Sequence, residues 1–136
     1  SGADELRGEQ DDDTLEGGAD ADRMFGGGGS DALKDLAGNN VFYGDDADGE
    51  DTGAAGADIV TAGIGDDIIH GQGGDDRIEA GDGNNTIFGG GGRDTITARA
   101  GNHRVFGDSM RIGGVDFASV DGNGDVISLG AGSSVV

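Results

Sequence analysis

Apolar side chains return at one position in nine along most of the chain. Residues 8 to 106 tile as eleven nonapeptides without insertion, in the frame G-G-x-G-x-D-x-U-x, where U is apolar. The eighth place holds Leu15, Met24, Leu33, Phe42, Asp51, Val60, Ile69, Ile78, Ile87, Ile96 and Val105. Ten apolar residues at one place in eleven units is not the scatter expected of a glycine-rich acidic linker. Residues 1 to 7 fit as the tail of an earlier unit, with Asp4 and Leu6 in the key places. Strand faces alternate, so a short x-U-x strand buries one side chain per pass. One unit alone buries almost nothing, whereas stacked units bury a continuous ladder. The pattern therefore predicts an all-β solenoid.

With two units per coil, vertical neighbours lie eighteen residues apart. One inward column would be Leu6, Met24, Phe42, Val60, Ile78 and Ile96. The other would be Leu15, Leu33, Asp51, Ile69, Ile87 and Val105. Crossovers between parallel strands are right-handed as a rule. Glycine holds the fourth place in eight of the eleven units and permits positive φ in the turns.

Composition changes the picture in one direction. The net charge is −20 and 32 of the 136 residues are glycine, with no proline and no cysteine. Such a chain would ordinarily be disordered. The acidic balance argues against nucleic acid, which needs a basic footprint. No apolar run is long enough to span a membrane. The absence of cysteine excludes disulfide staples and leaves the compartment open. The chain starts at Ser1 with no visible signal peptide, as an excised fragment would.

The acids have a place in the frame. Every eighteenth residue stacks the sixth places into two columns. One reads Asp4, Asp22, Asn40, Asp58, Asp76 and Asp94; the other reads Asp13, Asp31, Gly49, Asp67, Asn85 and His103. Carboxylates on neighbouring coils, about 4.8 Å apart, repel by about 3 kcal/mol at an effective dielectric of 20. A cation between them reverses the sign. Ca²⁺ takes six to eight oxygens, and glycine turns bring carbonyls close enough to help. Mg²⁺ fits less well, and soft metals find no thiolate. The expected ligands are Asp4, Asp13, Asp22, Asp31, Asn40, Asp58, Asp67, Asp76, Asn85 and Asp94. On this register Asp4/Asp22, Asp13/Asp31, Asp58/Asp76 and Asp76/Asp94 are complete pairs. Asp22/Asn40, Asn40/Asp58 and Asp67/Asn85 are weaker, Asp31/Gly49 lacks a ligand, and Asn85/His103 holds no ion.

These repeats resemble the RTX (repeats-in-toxin) family, from residue 1 to about 106. The resemblance implies a calcium-binding parallel β-roll with multiple Ca²⁺ ions, secreted unfolded, usually by a type I exporter, and folding outside the cell. It implies a Gram-negative bacterial origin, either secreted or at the cell surface. The module would be a non-enzymatic folding aid, spacer or structural part of a larger polypeptide. One alternative is a calcium-dependent adhesin or carbohydrate-binding module recognising a cell surface or glycan. The other is part of a β-helical carbohydrate-active enzyme.

Three segments depart from the frame: 44–52, 98–106, where His103 replaces Asp, and the residues beyond 107. "GDDADGEDT" (44–52) puts Asp51 in the apolar place, where it cannot sit unpaired. A solvated bulge is expected there, with an extra calcium site as the alternative. Residues 1–106 form the expected roll, and 107–136 are expected to cap it. "DGNGD" (121–125) would be a hairpin turn between "VDFASV" and "VISL" rather than an EF-hand start, since Gly132 stands where the bidentate Glu would be. In the ninth place, Phe25 and Tyr43 should form one ladder and His70, Phe88 and Phe106 another, one on each sheet. Neither His70 nor His103 has a nucleophile at a motif spacing.

Overall fold

A computed structural model describes residues 2–45, 55–112, 115–119 and 126–129. Their elements are all strands: β1 (Glu5–Gln10), β2 (Thr14–Glu16), β3 (Arg23–Gly28), β4 (Ala32–Ala37), β5 (Val41–Tyr43), β6 (Ile59–Ile64), β7 (Ile68–Gly73), β8 (Arg77–Gly81), β9 (Thr86–Gly91), β10 (Thr95–Ala98), β11 (Arg104–Phe106), β12 (Asp108–Ile112), β13 (Val115–Ser119) and β14 (Val126–Leu129). Alternate strands go to alternate sheets. One six-stranded sheet runs β1-β3-β5-β7-β9-β11, and the other runs β2-β4-β6-β8-β10-β14. All pairings within these sheets are parallel. This is the β-roll the nonapeptide period predicts.

Each short strand buries its eighth-place residue between the sheets. Met24, Leu33, Phe42, Val60, Ile69, Ile78, Ile87, Ile96 and Val105 are all buried and form one core cluster, with Leu6 and Leu15 packed partly against it. Fourth-place residues make the turns. Gly74 has a φ of 117°, and Asp20, which replaces glycine at the same place, holds 82°. Asp is among the few side chains that tolerate this region.

The register corrects the expected columns. Coils before residue 43 repeat at eighteen: Glu5 pairs with Arg23, Thr14 with Ala32, and Arg23 with Val41. Then Ala32 pairs with Ile59 and Val41 with Ile68, a step of 27. Later coils return to eighteen. β4 pairs directly with β6 and β5 with β7, so neither sheet carries a rung between these strands, where the frame would put the unit with Asp51. A rung there would place a carboxylate in the apolar core, at a cost of several kcal/mol. Lengthening one connection by nine residues costs far less, because closure entropy grows only with the logarithm of length. Omitting one unit changes the parity, so every later unit changes sheet. The apolar columns are therefore Leu6-Met24-Phe42-Ile69-Ile87-Val105 and Leu15-Leu33-Val60-Ile78-Ile96. Asp46, Asp48, Glu50 and Asp51 lie outside the described residues, as does the alternative calcium site assigned to them.

The C-terminal segment differs from expectation too. The antiparallel hairpin joins β12 to β13, pairing Asp108 with Ser119. It does not join β13 to β14. Instead β14 adds a parallel rung to the second sheet, with Ile96 opposite Ile127. "VISL" is thus a further strand beside β10. The turn at 121–125 lies outside the described residues.

Candidate metal centre

The parity change decides which acids meet. One edge of the roll, at the turns leading into the β2-β4-β6-β8-β10 sheet, stacks Asp13, Asp31, Asp58, Asp76 and Asp94. Each backbone N–H donates to the carboxylate of the next coil: Asp13 to Asp31 at 2.8 Å, Asp31 to Asp58 at 2.8 Å, Asp58 to Asp76 at 2.9 Å, and Asp76 to Asp94 at 3.1 Å. The other edge stacks Asp4, Asp22, Asn40, Asp67, Asn85 and His103 through the same donors. The expected Asn40/Asp58 level is not formed, and the place beside Asp31 expected for Gly49 is taken by Asp58. Asn40 meets Asp67 instead. The adjacent pairs Asp4/Asp22, Asp13/Asp31, Asp22/Asn40, Asp58/Asp76, Asp76/Asp94, Asp67/Asn85 and Asn85/His103 do stack.

Counting along the nonapeptide frame does not reveal these hydrogen bonds. Oδ1 of Asp22, Asp31, Asp58, Asp67, Asp76 and Asp94 is taken by a backbone N–H. Asparagine keeps that acceptor, and His103 supplies Nδ1 to the Asn85 N–H at 3.4 Å. The second oxygen has no protein partner: Oδ2 of Asp13, Asp22, Asp31, Asp58, Asp67 and Asp76 is buried without a hydrogen bond. An unsatisfied buried carboxylate oxygen is costly. Burial drives the pKa upward, first of all by desolvation, to about 7 for Asp58 and about 8 for Asp76. Asp31 is raised as well, and Asp67 rises to about 6. Charge on neighbouring coils adds to each shift.

Glycine at the first place shapes the space beside those oxygens. A methyl built on Gly71 would run into Oδ2 of Asp76 and the carbonyl of Gly89. One on Gly26 would meet Asp31 and the Gly44 carbonyl, and one on Gly44 would meet Asp58 and the Gly71 carbonyl. Gly8 and Gly89 repeat the arrangement with Asp13 and Asp94. Each level thus presents a carboxylate oxygen and a carbonyl of the next coil around a space kept clear of side chains. Hard oxygen donors of both kinds suit Ca²⁺. Among the described residues no three carboxylates or imidazoles converge on one point. Backbone carbonyls must therefore complete any coordination shell.

The second edge is built differently. Its first places read Gly17, Asp35, Ala62, Ala80 and Ala98. Asp35 is buried, and its pKa is raised to about 6 by desolvation and by the Asp22 side chain within hydrogen-bond reach. The sixth-place frame does not mark Asp35. Its signal in the sequence is a carboxylate standing where the frame puts glycine.

The outer face of the first sheet carries one ladder rather than two. Phe25, Tyr43, His70, Phe88 and Phe106 stack at centroid spacings of 5.0, 4.9, 4.7 and 4.9 Å. Parity again explains this, because Tyr43 is followed on its sheet by His70. Arg7 and Arg23 lie over Phe25 and Arg104 over Phe106, so the ladder's end rings are covered by guanidinium groups. Burial lowers the pKa of His70, which favours the neutral ring.

Parallel coils with buried acids facing glycine carbonyls define a metal-binding β-solenoid. The family model for the RTX calcium-binding nonapeptide repeat matches four times, over residues 1–33, 26–48, 52–87 and 79–109. The chain belongs to this family, whose repeats bind multiple Ca²⁺ ions and occur in secreted bacterial proteins. Residues 49–51, between the second and third matches, fall between β5 and β6. No curated protein and no solved structure matches the chain. Among the described residues no helix is long and apolar enough to cross a membrane.

Proposed function

We propose that this chain is a calcium-driven folding module of a larger secreted protein. The observation that carries the reading is the column of buried, unpartnered Oδ2 atoms facing glycine carbonyls on successive coils. At neutral pH such a column repels itself, and a divalent cation at each level supplies the missing partner. Asp13, Asp31, Asp58, Asp76 and Asp94 form the stronger column. Asp4, Asp22, Asn40, Asp67 and Asn85 line the opposite edge, where amides replace some of the charge and fewer levels are complete. Binding free energy then becomes folding free energy. In a calcium-poor compartment the acidic chain stays extended, which suits export through a type I system from a Gram-negative cell. Outside, it folds and serves its parent as a folding aid, spacer or structural segment.

The test is a calcium titration of the chelated protein followed by circular dichroism. Strand signal should rise cooperatively with calcium, and magnesium should be far less effective. A fully folded spectrum after thorough chelation at neutral pH would overturn the reading.

A further inference from the structure

We propose that the edge carrying Ala62, Ala80 and Ala98 is a calcium-free seam, so that the later coils hold their ions on the opposite edge alone. This rests on the calcium reading above and divides it between the two edges.

Three observations meet on that seam. The first is steric. On the Asp58-Asp76-Asp94 edge the first place is Gly44, Gly71 or Gly89, and any methyl there would collide with a carboxylate oxygen and a carbonyl. On the seam the same place holds three alanines, all buried. Their methyls belong to the apolar core cluster, so this place carries a side chain where the opposite edge has none. The second is chemical. The Asn85 Nδ2 donates to the carbonyl of Ala80 at 2.8 Å. That carbonyl belongs to the first-place set that faces the carboxylates on the opposite edge. A hydrogen-bond donor here takes the role of a cation, and the amide oxygen still accepts the Asp67 N–H at 2.9 Å. The third is electrostatic. The lower levels carry Asn85 and His103 where the opposite edge carries Asp76 and Asp94. Asp67 is the one carboxylate among them. It accepts the backbone N–H of Asn40 at 2.8 Å.

Methyl, amide and imidazole therefore replace clear space, carboxylate and ion together. Any one change alone would leave either an unsatisfied carbonyl or an uncompensated acid. Their occurrence at matching levels lets the Asn85 and His103 levels close by packing and hydrogen bonds while the other edge waits for calcium, and Asp67, whose Oδ2 is buried without a hydrogen bond, marks where the seam begins.

The experiment counts bound calcium per chain by native mass spectrometry at saturating calcium, with circular dichroism confirming the fold. Asn85→Ala should leave the count unchanged and lower the thermal midpoint. Asp76→Asn, which keeps the acceptor for the Asp58 N–H, should lower the count by at least one. Ala80→Gly combined with Asn85→Asp rebuilds a glycine-and-carboxylate level and should add one ion. A lower count for Asn85→Ala, or no gain in the folded double variant, would overturn the seam. Binding of no calcium by the wild-type chain would instead sink the calcium reading itself.

Discussion

The two edges of this roll are made from one nonapeptide, yet they solve the problem of stacked turns in different ways. Along Asp13, Asp31, Asp58, Asp76 and Asp94 every level keeps a carboxylate and a first-place glycine. Along Asn40, Asp67, Asn85 and His103 the carboxylates thin out, and alanine takes the first place from residue 62 onward. Both edges preserve the hydrogen bond from each sixth-place N–H to the next coil's side chain. What differs is the second oxygen. The backbone ladder is therefore the common structural device, and the ion site is an addition that an edge can carry or drop. A repeat can lose calcium without losing its rung, provided something else satisfies the carbonyl.

The largest separation between the edges should come from replacing one side chain on each. Asp76→Ala removes a carboxylate whose level is bounded by Asp58 and Asp94. Its calcium midpoint should rise severalfold, with a shallower transition because fewer ions are linked to folding. Asn85→Ala strands the Ala80 carbonyl and the Asp67 N–H, at about 1–3 kcal/mol each. It should move the midpoint less and leave the steepness unchanged. Titration by circular dichroism checks both, and equal loss of steepness would mean that the edges are equivalent.

The roll itself is legible in the residues, and the pairing across its edges is not. The period of nine and the apolar eighth place define the roll, because only stacking can bury one side chain per strand. Sixth-place aspartates define the columns. Which aspartate faces which cannot be had by counting, since the frame runs without insertion through residues 44–52. The clue is Asp51, which cannot occupy a core rung. Refusing that rung gives a step of 27, exchanges the sheets, joins the two aromatic ladders into one and places Asp58 below Asp31. The hydrogen bond held by Oδ1 is hidden for another reason. It depends on backbone direction at the turn, which residue types alone do not reveal. The β12–β13 hairpin also follows from local pairing outside the repeat, where no period constrains the register.

Acidity gives the next, smaller contrast. Asp58 and Asp76 are pushed to about 7 and about 8 in the folded chain, against 3.8 for an unperturbed aspartate. The folded state therefore binds more protons than the unfolded one across that interval. Stability without calcium should be greatest below about pH 4 and fall as pH rises towards 8. Calcium affinity should run the opposite way, because the ligands must be deprotonated. Chelated protein should thus gain strand signal on acidification, while the calcium midpoint falls from pH 6 to pH 8. Asp76→Asn should weaken both trends. A chelated protein equally unfolded at pH 4 and pH 8 would show that protons cannot substitute for the ions.

The smallest effect belongs to a surface outside both edges, and it calibrates the other two. Phe88 lies in the middle of the ladder, 4.7 Å from His70 and 4.9 Å from Phe106 between centroids. Its ring is on the outer face of the first sheet, while Ile87 beside it fills the core. Removing the ring breaks two stacked contacts, each worth about 0.5–1.5 kcal/mol beyond area burial. Because folding is linked to several ions, a loss of about 1–3 kcal/mol is shared among them. Phe88→Ala should then raise the calcium midpoint by only about twofold and keep the steepness of the wild type. Asp76→Ala must exceed this shift and flatten the curve, because it removes an ion as well as a contact. If Phe88→Ala flattened the transition as much as Asp76→Ala, steepness would be reporting general destabilisation, and the contrast between the edges would have to rest on counted ions alone.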